Sequence, residues 1–144
     1  MKKMISLAIA ALALSSPIAG EPYVSVGMGP YLGLPNIGSG ILFYNDTGMV
    51  DVHTNFSYEK NFKSFQIGIS KLFYVDHGVY TGIESNFGVT KFWKYTPGHQ
   101  SNFGIVFGKE FKRSFIDFTV QKRMTNKGIR MPSTQAIVRF GVKV

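Results

Sequence analysis

Cysteine is missing from this chain of 144 residues, which excludes disulfides and thiolate metal sites and leaves no residue for lipid attachment of the lipoprotein kind. Tryptophan occurs once, and acidic residues number only 8 against 16 Lys and Arg. No apolar run reaches the roughly 20 residues that a transmembrane helix needs. Histidines are few and scattered: His53, His77 and His99 lie too far apart in sequence to suggest a metal site. No cofactor-binding motif is present, and nothing resembles a nucleic-acid-binding motif despite the net charge of +8.

What is present begins with an address. Lys2 and Lys3 precede an apolar stretch from Met4 to Leu14, then Ser15, Ser16 and Pro17, the layout of an export signal with cleavage expected after Ala19 or Gly20. Residues 1–20 are therefore read as a signal peptide and residues 21–144 as one domain. Without Lys2 and Lys3 the mature chain keeps 14 basic against 8 acidic residues, a net charge of +6. Its 13 Phe, 7 Tyr and 16 Gly favour an all-β domain.

Periodicity carries the rest. From Gly48 to Glu59, Val50, Val52, Thr54, Phe56 and Tyr58 alternate with Asp51, His53, Asn55, Ser57 and Glu59, a strand with one oily and one wet face. The same split is expected in seven further segments: Tyr23 to Leu34, Ser39 to Tyr44, Lys63 to Val75, Val79 to about Trp93, Ser101 to Phe111, Ile116 to Arg123, and Ala136 to Val144. Within Tyr23 to Leu34 the wet side is mostly glycine, as a narrow curved sheet requires. Tight turns are expected at Asn45-Asp46-Thr47-Gly48, Val75-Asp76-His77-Gly78 and Lys112-Arg113. The other connections are longer or more charged, except that around Pro35 and Asn36, which is read as short.

Eight such strands, most with the roughly 9 to 11 residues that cross a bilayer at a tilt, predict an antiparallel up-and-down transmembrane β-barrel. Its interior would be filled by a network of Asp51, His53, Glu84, Glu110 and Asp117 with Arg123, Arg139 and Lys143. Tyr23, Tyr58, Phe73, Phe92, Trp93 and Phe111 are expected as aromatic girdles near strand ends. Lys71 interrupts the oily face, which calls for snorkelling to a boundary or for a bulge. The final strand, with Val138, Phe140, Val142 and Val144, resembles that of small bacterial outer-membrane β-barrel proteins, although Val144 stands where Phe or Trp is usual. The resemblance implies outer-membrane lipid, lipopolysaccharide and the barrel-assembly machinery as partners.

Basic residues gather at the other end of the strands: Lys60 and Lys63, Lys91 and Lys94, then Lys122, Arg123, Lys127 and Arg130. They suit lipopolysaccharide phosphates or an anionic polysaccharide, against the plainer reading of solvated loop charge. Some outer-membrane barrels modify lipid A through His, Ser and an acid. His53 and Ser57 share a face here, but four residues along a strand is about 13 Å, beyond hydrogen-bond reach. The expectation is a structural, non-enzymatic outer-membrane barrel. The competing classes are a lipid-modifying enzyme using His53, and a soluble periplasmic module with its Phe-rich face turned inward.

Overall fold

Alternating side chains that cannot share one environment force each segment into a two-faced strand, and eight of these close on themselves. The computed structural model describes residues 20–31, 33–92, 98–126 and 133–144. It contains β1 (Glu21–Met28), β2 (Pro35–Asn45), β3 (Gly48–Glu59), β4 (Phe62–Asp76), β5 (Val79–Phe92), β6 (Gly98–Glu110), β7 (Ser114–Asn126) and β8 (Thr134–Lys143). Each strand pairs antiparallel with its sequence neighbour, and β8 returns to β1 with Val142 opposite Val24. Closure leaves no free sheet edge.

The closure is staggered. Following paired residues from Ser25 in one direction gives Gly38, Asn55, Gln66, Gly88 and Gln100. The other direction gives Gly141, Phe115 and Glu110. Both routes end on β6, ten positions apart (110 − 100), and this offset is what tilts strands in a closed barrel. Residues level in the sheet ladder therefore differ in height along the barrel axis.

The start of β1 and the end of β8 lie at the same end as the turns between β2 and β3, β4 and β5, and β6 and β7, here called the turn end. Asn45 builds the first by accepting from the backbone N–H groups of Thr47 (3.0 Å) and Gly48 (2.9 Å). His77 and Gly78, with φ of 31° and 82°, make the second with the paired left-handed residues that a two-residue hairpin favours.

At the opposite, loop end, two expectations change. β1 stops at Met28 rather than Leu34, because Gly29 (φ 145°) and Gly33 (φ 90°) turn the chain. The first connection thus runs over residues 29–34, closed by Gly29 N–H donating to Leu34 O at 2.9 Å, and Pro35 and Asn36 belong to β2. The join between β3 and β4 is only Lys60 and Asn61, as short as any at the turn end. Residues 93–97 and 127–132 in the remaining joins lie outside the described residues.

The faces divide as the periodicity predicts, and in an inverted sense. Among the described residues, 28 large apolar side chains are exposed on the outer wall and ends against nine buried ones, while 20 polar or charged side chains are buried. Lys71 sits in register between Val50 and Ile83, pointing out, and the irregularity of β4 lies later, between Tyr74 and Asp76. Its Nζ reaches 5.7 Å from the centroid of Phe73, the next outward ring toward the turn end.

Candidate functional site: the filled lumen and the basic rim

Inward side chains form successive layers from the turn end to the loop end. At the turn end Glu110 is gripped by Lys143, Tyr44 and Tyr74, and Lys143 Nζ also lies 3.3 Å from Glu21. Above this knot packs an apolar layer of Tyr23, Leu42, Met49, Leu72, Tyr80, Val106 and Phe115. Inward glycines make room for its rings. A Cβ on Gly40 would lie 2.5 Å from the Tyr23 hydroxyl, one on Gly108 2.4 Å from the Tyr80 ring, and one on Gly141 2.2 Å from Phe115.

The charged layer comes next, centred on Arg139, which is 2% exposed. Its Nε and Nη2 donate to Asp117 at 3.0 and 2.7 Å, Nη2 also to Asp51 at 3.1 Å, and Nη1 to the Tyr23 hydroxyl at 3.0 Å. Tyr23 donates to Asp51 at 2.8 Å and Tyr80 to Asp117 at 3.3 Å, so the apolar and charged layers share two tyrosines. His53 lies between carboxylates, with Nδ1 3.0 Å from Asp51 and Nε2 3.7 Å from Glu84. Neither contact has hydrogen-bond geometry. A forked guanidinium serves two buried carboxylates at once, which a lysine could not do with comparable geometry.

Toward the loop end the lumen turns to amides and hydroxyls. Asn86 bridges Glu84 and Gln121. A chain then runs from Gln121 to Gln135 (3.1 Å), Gln135 to Gln100 (3.1 Å) and Gln100 to Thr90 (2.6 Å), with Ser64 3.1 Å from Thr90. Above them Arg123 donates to the Tyr31 hydroxyl at 2.7 Å, tying the first loop across the opening. Burial pushes the Tyr31 hydroxyl above its ordinary range, against the pull of Arg123.

The expected polar network is therefore divided by height. Asp51, His53, Glu84, Asp117 and Arg139 meet in one layer, whereas Glu110 belongs to the turn-end knot and Arg123 to the loop end. Tyr23, expected in an outer girdle, points inward because it shares parity with Ser25; Tyr58, Phe73 and Phe111 do lie outside. Phe92 and Trp93 give no girdle position, since the Phe92 side chain and all of Trp93 lie outside the described residues.

His53 and Ser57 are not partnered. Ser57 donates to the Gly29 carbonyl, and Ser70, a serine bonded to the His53 cluster, donates to Glu84 at 3.0 Å. His53 is 1% and Asp51 0% exposed.

Three of the six predicted patch lysines converge at the loop end. Lys60, Lys63 and Lys91 surround a cavity of about 170 Å³ together with Asn61 and Phe62. Lys63 lies directly opposite Lys91 across the β4–β5 ladder, and its Nζ rests 5.0 Å from the Tyr58 ring centroid. Like charges placed opposite one another destabilise a strand pair. Lys122 stands apart on the outer face of β7, opposite Phe103 and Thr134, and Lys94, Lys127 and Arg130 lie outside the described residues. No protein-family model, curated protein or solved structure matches this chain.

Proposed function

We propose that this chain is a structural protein of the bacterial outer membrane, exported through the signal at residues 1–20, spanning the lipid as a plugged barrel and holding its basic rim toward the outside. The observation that carries the reading is the inversion of faces: apolar side chains coat the outside while the inside holds Arg139, three carboxylates and a ladder of amides. Each large apolar side chain left in water forgoes about 1.5–3 kcal/mol of burial, a loss repeated across the entire wall unless lipid covers it. A soluble periplasmic module would need the Phe-rich face inside, and the lumen it would offer a ligand is occupied. Lys71 and Lys109 fit the lipid reading, since each leans over the next phenylalanine toward the turn end.

The rim adds a partner class. Lys60, Lys63 and Lys91 suit phosphate groups of lipopolysaccharide, or an anionic polysaccharide on another surface. Gel mobility of the outer-membrane fraction tests the membrane reading. A band that survives SDS and shifts only on boiling is the expected result, and a soluble, unshifted protein would end it. For the rim, Lys63→Gln with Lys91→Gln should weaken retention on immobilised lipopolysaccharide at low salt, while equal retention would return these lysines to ordinary solvated charge. Lipid-modifying activity is not favoured, given the burial of His53.

A further inference from the structure

The outer wall is not uniform. A groove of about 830 Å³ runs from Val75 and Val79, beside the β4–β5 turn, past Phe107, Ile116 and Phe118 to Val138 in the middle of β8. Its volume falls within the range of small-molecule clefts. The lining is apolar, and the hydroxyl of Thr81 in its floor is already used, donating to Val106 O at 3.0 Å. Lys109 stands on the groove near its turn end, its Nζ 5.7 Å from the centroid of Phe111. Just beyond, Lys112 and Arg113 are exposed on the β6–β7 turn.

Acidic side chains nearby do little to neutralise these cations. Glu110 faces the lumen in the grip of Lys143, and Asp117 is held by Arg139. Asp76, exposed on the next turn, touches His77 and is the carboxylate left to offset the cations. The β1–β3 sector differs, since its turn end carries Glu21 and Asp46.

An apolar trough ending under a cluster of cations matches a molecule with a hydrocarbon chain and an anionic head. We propose that this groove is a binding site for one anionic glycerophospholipid, its acyl chain lying from Val79 toward Val138 and its phosphate held by Lys109 with Arg113. The inference rests on the membrane reading above, in which the turn end faces the glycerophospholipid leaflet.

Native mass spectrometry of the full barrel, released from detergent carrying phosphatidylglycerol or phosphatidylcholine, tests it. One phosphatidylglycerol per barrel should be retained in preference to phosphatidylcholine. Lys109→Gln and Arg113→Gln should each reduce that retention about fivefold, the factor expected for one cation at an anionic lipid surface. Val138→Phe, which fills the groove without changing charge, should reduce retention of both lipids. Equal retention of the two lipids, unchanged retention in the Arg113→Gln variant, or a second copy of the barrel seated on the groove would overturn the proposal. The boiled and unboiled gel run on the same preparations separates the two ideas. A heat-shifted membrane barrel without lipid preference refutes the groove alone, and a soluble protein refutes both.

Discussion

The two halves of the lumen are built by different rules. The turn-end half is packed: rings sit on glycines, Leu42, Met49 and Leu72 fill the space between them, and Glu110 is closed in by three partners. The loop-end half is polar and loosely paired. Among the described residues, Asn36 Oδ1, Asn55 Oδ1 and both polar side-chain atoms of Gln66 and of Asn102 have no hydrogen-bond partner. Apolar packing fixes a single arrangement through shape, whereas a partly satisfied amide layer allows several of similar energy. Shape thus specifies the arrangement between the knot and Arg139 more tightly than it does in the loop half.

That contrast is broken most forcefully at its boundary. Arg139→Ala leaves Asp51 and Asp117 buried without their shared cation and should cost about 3–5 kcal/mol, read as a lower temperature for loss of the unboiled gel form. Adding Asp51→Asn and Asp117→Asn should recover part of the loss. An unchanged transition in the single variant would show that the charged layer does not hold the barrel. Leu72→Ala, inside the packed half, should cost about 2–5 kcal/mol by the same measurement.

Gly68→Ala probes the boundary from the loop side. A Cβ there would meet Asn86 Oδ1 at 1.8 Å and His53 Nε2 at 2.4 Å, so His53 must move away from its place between Asp51 and Glu84. The expected cost is about 1–3 kcal/mol, typical of overpacking. A neutral result would mean that the amide layer yields freely and that the boundary lies closer to the turn end.

Strand number and facing were legible in the sequence because a period of two survives even in short segments, as in Val50 to Tyr58. Parity alone also places Tyr23 inside with Ser25; its position at a strand end suggested the opposite. The packed layer has a signature in the sequence as well. Leu42, Met49, Leu72 and Phe115 are apolar residues in wet parity, each within a few positions of a turn-end hairpin. The break between β1 and β2 could not be read, since Gly27, Gly29 and Gly33 keep the alternation going through a turn set by positive φ. Nor could the division of the polar network be read. Glu110 and Arg123 share a face but sit at opposite ends, and only the stagger between strands fixes height.

The smallest effect gives the sharpest test of the comparison. Gln66 is 2% exposed, and neither its amide nitrogen nor its oxygen is paired among the described residues. Leucine is close in size and brings no polar atom, so Gln66→Leu removes two unsatisfied groups and loses no protein hydrogen bond. Replacing unpaired buried polar groups in this way is near neutral or slightly stabilising, within about 1 kcal/mol, and the gel transition should stay or rise. The same exchange in reverse, Leu72→Gln, buries an unpaired amide in the packed half and should destabilise strongly. If Gln66→Leu instead fell as far as Leu72→Ala, the loop-end amides would be as tightly specified as the turn-end core, and the division of the lumen into a fixed and a permissive half would be wrong.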